Sequence, residues 1–321
     1  MAVYTKVSED EAKAFLSAYD IGAFVNLTGI KAGVENSNYI LLTMRGRFIL
    51  TLYEKRVRVA DLPFFLGLME HLARKNVPCP LPMRSKDGEL FRTIVGHSAA
   101  IVTFLEGGAL ARLDVEDCAE VGRAMAVMHL AAKDFSIRRP NALSLPGWEK
   151  LAADCGSRAD EAKPGLAAMI KMELDYLRSC WPVDLPRGII HADLFSDNIF
   201  FRQGKLCGLI DFYFACEDAL AYDLAICLNS LCFERDSNFN ITKARALLRG
   251  YAEKRPLSRP EKEMLPTLAR GAALRFLLTR LYDQLHQVPG ALVKVKNPLE
   301  YLMRLEFHQK IGDVSGYGID T

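Results

Sequence analysis

The apolar positions of this chain change their period once. Over the first hundred residues they come in short runs rich in β-branched and aromatic residues, FVNLTGI, YILLTM and RFILTLYE. Polar and glycine-containing turns separate the runs, which predicts an antiparallel meander. Ahead of them Ser8 and Glu11 make a capping-box pattern that opens a short helix through Tyr19. From Asp61 the spacing becomes three and four, at Leu62, Phe65, Leu66, Met69, Leu72 and Ala73, and predicts one helix that stops before the prolines of NVPCPLP. Two more strands follow, ELFRTIV and SAAIVTFL, with Asp87-Gly88 as the turn that starts the first.

At EGGAL, residues 106–110, period two gives way to a helical period that holds for most of the remaining chain. Asp114 caps a predicted helix whose face is Cys118, Val121, Met125, Met128 and Ala132. Further helices are predicted over 164–180, 222–233, 241–254 and 260–287, the last opened by Ser258, Pro260 and Glu261. One interruption, GIIHADLFSDNIFFRQGKLCGLIDFYF, has two short apolar runs flanking Gln203-Gly204 and reads as a hairpin set into a helical lobe. The expected fold class is therefore α+β in two lobes: a sheet with one main helix over 1–106, and a larger, mainly helical lobe over 107–321.

Length agrees, since 321 residues exceed what one core usually supports. The formal charge of +2 is scattered, which removes the electrostatic argument for nucleic acid or anionic lipid and leaves small solutes as the expected partners. No apolar run approaches the roughly 20 residues that cross a bilayer. The start, MAVYTKVSEDEAKAF, has acidic residues where a signal peptide would be apolar, so the chain is expected in the cytoplasm. Eight cysteines contain no C-x-x-C pair and read as buried thiols of a reducing compartment. Cys227 and Cys232, five apart on a predicted helix, do not face one way, so no zinc site is expected.

The chemistry concentrates between 191 and 211. His191 and Asp193 follow an apolar run, Asn198 precedes another, and Asp211 ends a third. In a hairpin the ends of paired strands lie side by side, so Asn198 and Asp211 can both face the loop that holds Asp193. A carboxylate and an amide carbonyl are hard ligands suited to Mg²⁺, and the remaining carboxylate is left to accept a proton from an attacking hydroxyl. That division of labour is the one phosphoryl transfer uses. Aspartate and asparagine also simply populate turns, but Asp211 lies between apolar runs, where an unpaired charge is costly.

The pattern H-x-D-x-x-x-x-N followed by an apolar residue, Asp and Phe resembles the catalytic loop and metal-binding segment of the aminoglycoside-phosphotransferase and choline-kinase branch of the protein-kinase-like fold. In the same order, GIKAGVENSNYIL resembles the family's phosphate-covering turn, VPCPLP the exit of its small-lobe helix, IVTFLEGG its hinge at about 102–106, VGRAMAVMH the next helix and YDLAICL its D-L-A helix. GIIHADLFSDNIFF, GLIDFYFAC, YDLAICLNS and RFILTLYEKR are similar to the bacterial homoserine kinases of that type.

The resemblance implies ATP- and Mg²⁺-dependent phosphorylation of the side-chain hydroxyl of L-homoserine, a step toward threonine. It makes Asp193 the base, Asn198 and Asp211 the magnesium ligands, His191 the brace of the loop, and Asp223 its support from behind. Backbone groups of Thr103, Phe104 and Leu105 would meet the adenine. The strand lysine that holds nucleotide phosphates in most relatives is matched here by Thr51, and its glutamate partner by a position near Phe65, so both halves of that ion pair are absent. Lys31, Lys55 and Arg56 are candidate replacements, and Asn36, Ser37 and Asn38 candidate donors to phosphate. For an ammonium and a carboxylate on the acceptor, the candidates are Asp197, Glu217 and Asp218, and Arg275 and Arg280. A kinase of choline, another hydroxylated amino acid or an aminoglycoside, an inactive nucleotide-binding module, and a metal-dependent hydrolase remain as alternatives.

Overall fold

The computed structural model describes residues 4–30, 36–54, 57–287 and 296–320. The chain divides into two compact units, the first being Met1–Gly108 with Phe135–Ile137 and Cys207–Tyr213, the second Ala109–Asp134, Arg138–Leu206 and Phe214–Thr321.

In the first unit, helix α1 (Glu9–Leu16) opens on the expected box, with Ser8 accepting from the Glu11 N–H and Glu11 accepting in return. Strands β1 (Phe24–Gly29), β2 (Ser37–Thr43) and β3 (Gly46–Leu52) form the meander. Helix α2 (Leu62–Arg74) buries Leu62, Phe65, Leu66, Met69 and Leu72, the face its spacing predicts. Strands β4 (Arg92–Ile94) and β5 (His97–Thr103) complete a five-stranded antiparallel sheet ordered β1-β2-β3-β5-β4. Its core joins Phe15, Tyr19, Leu41, Leu50 and Ile101. The β4–β5 hairpin turns at Val95-Gly96, with φ of 50° and 76°, a two-residue turn without the usual Asn or Asp at its first position. Asp87-Gly88 lies earlier, and β4 is shorter than the run ELFRTIV suggests.

After β6 (Gly108–Ala109), the second unit contains α3 (Val115–Ala131), α4 (Leu145–Cys155), α5 (Leu166–Cys180), α6 (Leu220–Leu231), α7 (Ile241–Ala252), α8 (Arg259–Leu285) and α9 (Leu299–His308). Capping boxes at Asp114/Asp117 and Ser258/Glu261 start α3 and α8. Helix α4 buries only Trp148 and Cys155, too few apolar positions to declare a period in the sequence. Helix α9, also unpredicted, buries Tyr301, Leu302, Leu305 and His308. Between the helices, β7 (Arg187–Ile190) pairs antiparallel with β10 (Cys216–Ala219), whose sequence CEDA carries no strand signature of its own. The expected hairpin is β8 (Ile199–Arg202) and β9 (Lys205–Leu209), turning at Gln203-Gly204 with φ of 52° and 73°. Among the described residues no helix is long and apolar enough to cross a membrane.

Candidate active site

The loop between β7 and β8 holds three of the four residues that the motif singles out. Its backbone is fixed from the N–H side by one carboxylate: Asp223, wholly buried on α6, accepts from the N–H of His191 and the N–H of Ala192, each at 2.7 Å. Cys227 and Ser230, four and seven residues further on, share that helical face and donate to the Leu194 carbonyl, the hydroxyl at 2.7 Å. The periodicity of YDLAICLNS thus places a loop scaffold along one side of α6.

Burial by itself would raise the pKa of Asp223, but the hydrogen bond and charge of His129 and the N–H of His191 bring the net direction down. His129 of α3 contacts the carboxylate through Nε2 at 2.9 Å, and its Nδ1 shares a hydrogen bond of 2.8 Å with the Tyr251 hydroxyl of α7. Sequence reasoning missed both residues. Their only signal was a polar ring on an apolar helix face, and their partners lie 94 and 122 positions away along the chain.

His191 is fully buried, and its Nδ1 accepts the Asp193 N–H at 3.3 Å. Asn198 donates its amide nitrogen to the Asp193 carbonyl at 2.8 Å, which turns its own Oδ1 away from that carbonyl. Ala192 has φ of 63°, a conformation an L-residue adopts only when its surroundings hold it there. Arg275 of α8, 1% exposed, donates to the Ala192 carbonyl and brings a second nitrogen to 3.9 Å from Asp193 Oδ1.

Asp211 belongs to the first unit, where it follows β9 with φ of 66°. That segment is anchored by the Leu209 N–H, which donates to the Pro78 carbonyl at 2.7 Å, and by the Tyr213 ring, set edge-on against Tyr53 and Phe65 at 5.3 and 5.7 Å. Burial pushes both phenols upward, with the Asp211 charge adding to it. The positions expected to lack the lysine–glutamate pair are therefore filled by other contacts. Phe65 packs on Tyr213, Thr51 donates to Asn38 Oδ1 at 2.7 Å, and the buried acid of α2, Glu70, is held by Arg84 and Arg74. Among the described residues no group of three or more histidine, cysteine, aspartate or glutamate side chains could hold a metal ion. One carboxylate, one amide oxygen and the phosphates of a nucleotide are nonetheless a donor set that suits Mg²⁺, which prefers few protein ligands.

The remaining expected residues fall in different places. The Ser37 hydroxyl is engaged inside the first unit, accepting from the N–H groups of Tyr4 and Thr5 and donating to Glu54. Asn36 accepts the Glu54 N–H. The Thr103 N–H goes to the Leu81 carbonyl at 2.9 Å, Phe104 carries the Arg47 guanidinium over its ring at 4.5 Å, and Leu105 follows the end of β5. Lys31, Lys55 and Arg56 lie outside the described residues. In the second unit Asp197 is exposed, Glu217 faces Arg138 at 3.8 Å, and Asp218 is buried between Asn141 and Arg187. Arg280 is taken by Glu300 at 2.7 Å and the Asn297 carbonyl, so its guanidinium ties α8 to the approach of α9.

The model of the phosphotransferase enzyme family matches residues 26–257. The homoserine kinase of Agrobacterium fabrum is 56% identical over 99% of both chains, and that of Bradyrhizobium diazoefficiens 58% identical over 99% of this chain and 98% of its own. Among solved structures, an amicoumacin kinase in complex with AMP-PNP, Ca²⁺ and Ami superposes with a TM-score of 0.74 at 16% identity, covering 95% of this chain and 94% of that one. A choline/ethanolamine kinase family protein from Mesorhizobium loti gives 0.65 at 17% identity, covering 96% and 97%. The expected α+β, protein-kinase-like fold is the one these neighbours share, and the chain belongs to the phosphotransferase enzyme family, among its homoserine kinases.

Proposed function

We propose that the chain transfers the γ-phosphoryl group of ATP to the side-chain hydroxyl of L-homoserine, giving O-phospho-L-homoserine on the way to threonine. The observation that carries the reading is full-length identity above half to homoserine kinases. The rigid loop 191–198, held from α6 and α8, supports it. Asp193, its side chain 18% exposed, accepts the proton of the attacking hydroxyl. Asn198 and Asp211 would hold Mg²⁺, which when bound neutralises charge on the transferring phosphoryl group. Asn198 fits because its amide nitrogen is already donated, leaving the oxygen as ligand. Asp197, exposed beside Asn198, is the candidate for the acceptor ammonium. Eight thiols, none joined in a disulfide, support a cytoplasmic enzyme.

Steady-state turnover against homoserine, serine and choline tests the reading. Homoserine should be preferred, and Asp193→Asn should lose about 10²-fold or more in kcat, the usual worth of a positioned base. Turnover of choline equal to that of homoserine removes the substrate assignment, and ATP consumption independent of any acceptor makes the protein a hydrolase.

A further inference from the structure

We propose that Arg275 is a positioning residue of the catalytic loop, acting through the peptide bond between Ala192 and Asp193 and not on the substrate carboxylate. The inference rests on the reading of Asp193 as the base. That peptide is pinned at both ends: its carbonyl accepts from Arg275 and its N–H donates to His191 Nδ1. The preceding residue, Ala192, sits at φ of 63°, where an L-residue is strained by about 1–2 kcal/mol. Turning that peptide over rotates ψ of Ala192 and φ of Asp193, and it would swing the Asp193 side chain away from its present direction. Asp223 does not hold this peptide, because its contacts to the loop are the N–H groups of His191 and Ala192. Among the described residues, the donor to the carbonyl side is Arg275.

The arginine itself is held in place. It is 1% exposed, with its guanidinium 4.6 Å from the Phe276 ring and 5.6 Å from that of Phe214. Among the described residues its Nε has no hydrogen-bond acceptor, so the side chain leans on Ala192, Asp193 and the neighbouring Tyr222 hydroxyl for its compensation. A guanidinium that is to grip an incoming carboxylate needs an open fork. This one is closed over by aromatic rings and spent on the loop.

The test is the split between kcat and KM. Arg275→Met, similar in length and apolar, should lower kcat about 10- to 100-fold, as a misplaced catalytic group does, with KM for homoserine and for ATP changed less than about threefold. Arg275→Lys, which can still donate to the carbonyl, should fall between Met and wild type, and guanidinium ions should restore part of the kcat of Arg275→Ala where methylammonium does not. A KM for homoserine that rises about tenfold or more with kcat kept would mean a substrate clamp and overturn the proposal; so would wild-type kcat in folded Arg275→Met. If Met does not fold, Lys is read by the same split. Asp193→Asn run alongside separates the two failures: full activity there removes the base, whereas its loss together with wild-type kcat in the Arg275 variants removes only the positioning role.

Discussion

Thr51 occupies the strand position at which the resembled family carries a lysine, and its surroundings explain why a lysine does not belong there. It is 4% exposed, opposite Asn38 and Ala100 in the sheet, and close to the Tyr213 hydroxyl. Phe65 reaches the same tyrosine from α2, and Glu70 on that helix is already paired with Arg84 and Arg74. An ammonium introduced at 51 would be buried without a partner. Thr51→Lys should therefore lose about 3 kcal/mol of unfolding free energy in urea and gain no affinity for ATP. Phe65→Glu alone should be similarly harmful, but the double variant should recover at least about 1 kcal/mol relative to the sum of the two. Strict additivity would show that the two positions do not face each other, and that the pairing inferred from the resemblance is misaligned.

Two features act at the scale of elements, and the first of them supports the loop. Helices α3 and α7 approach so closely that a Cβ on Gly122 would lie 2.1 Å from the Leu247 carbonyl oxygen, and one on Gly250 2.2 Å from that of Ala119. The obstructing atoms are backbone, so neither helix can yield locally. This crossing brings His129 of one helix and Tyr251 of the other into line with Asp223. Gly122→Ala should cost about 3 kcal/mol in urea unfolding, the upper part of the range for overpacking, and a loss below about 0.5 kcal/mol would mean the helices can separate without consequence. Helix α9 carries the second feature. His308 is fully buried, its Nδ1 bonded to the Tyr317 hydroxyl at 2.9 Å. Burial, with Arg304 and Arg270 nearby, holds its pKa down to about 3. The unfolded chain binds this proton below about pH 6.5 and the folded chain does not, so stability is complete above that value and falls as pH drops toward 3. Between pH 7 and 5 the group should remove about 2 kcal/mol. His308→Gln should flatten that slope by this amount in urea titrations at the two pH values; an unchanged slope would show that the ring is protonated in the fold.

At the scale of the whole molecule, what could be read in advance was whatever repeats locally. The periods of α2 and α3, the boxes at Ser8 and Ser258 and the Gln203-Gly204 turn are encoded within a few residues, and the H-x-D-x-x-x-x-N spacing carries the site loop with them. What was hidden is tertiary. Strand β10 exists because β7 pairs with it, Ala192 and Asp211 take positive φ without being glycine or asparagine, and Arg280 finds Glu300 twenty residues on. The same limit applies to the metal. The assignment of Asn198 and Asp211 rests on the order of residues along the chain, and the two belong to different compact units. Nucleotide binding tests it independently of turnover, because a ligand stabilises the fold it binds by about 2.7 kcal/mol at a hundred times its Kd. Mg·ATP at that excess should raise the melting temperature of the wild type, and ATP with EDTA should raise it much less. Asp211→Asn should lose the magnesium-dependent part of the shift, while Asp193→Asn, which removes a base and not a ligand, should keep it and still fail to turn over. The opposite pattern, with the shift retained in Asp211→Asn and lost in Asp193→Asn, would exchange the two roles.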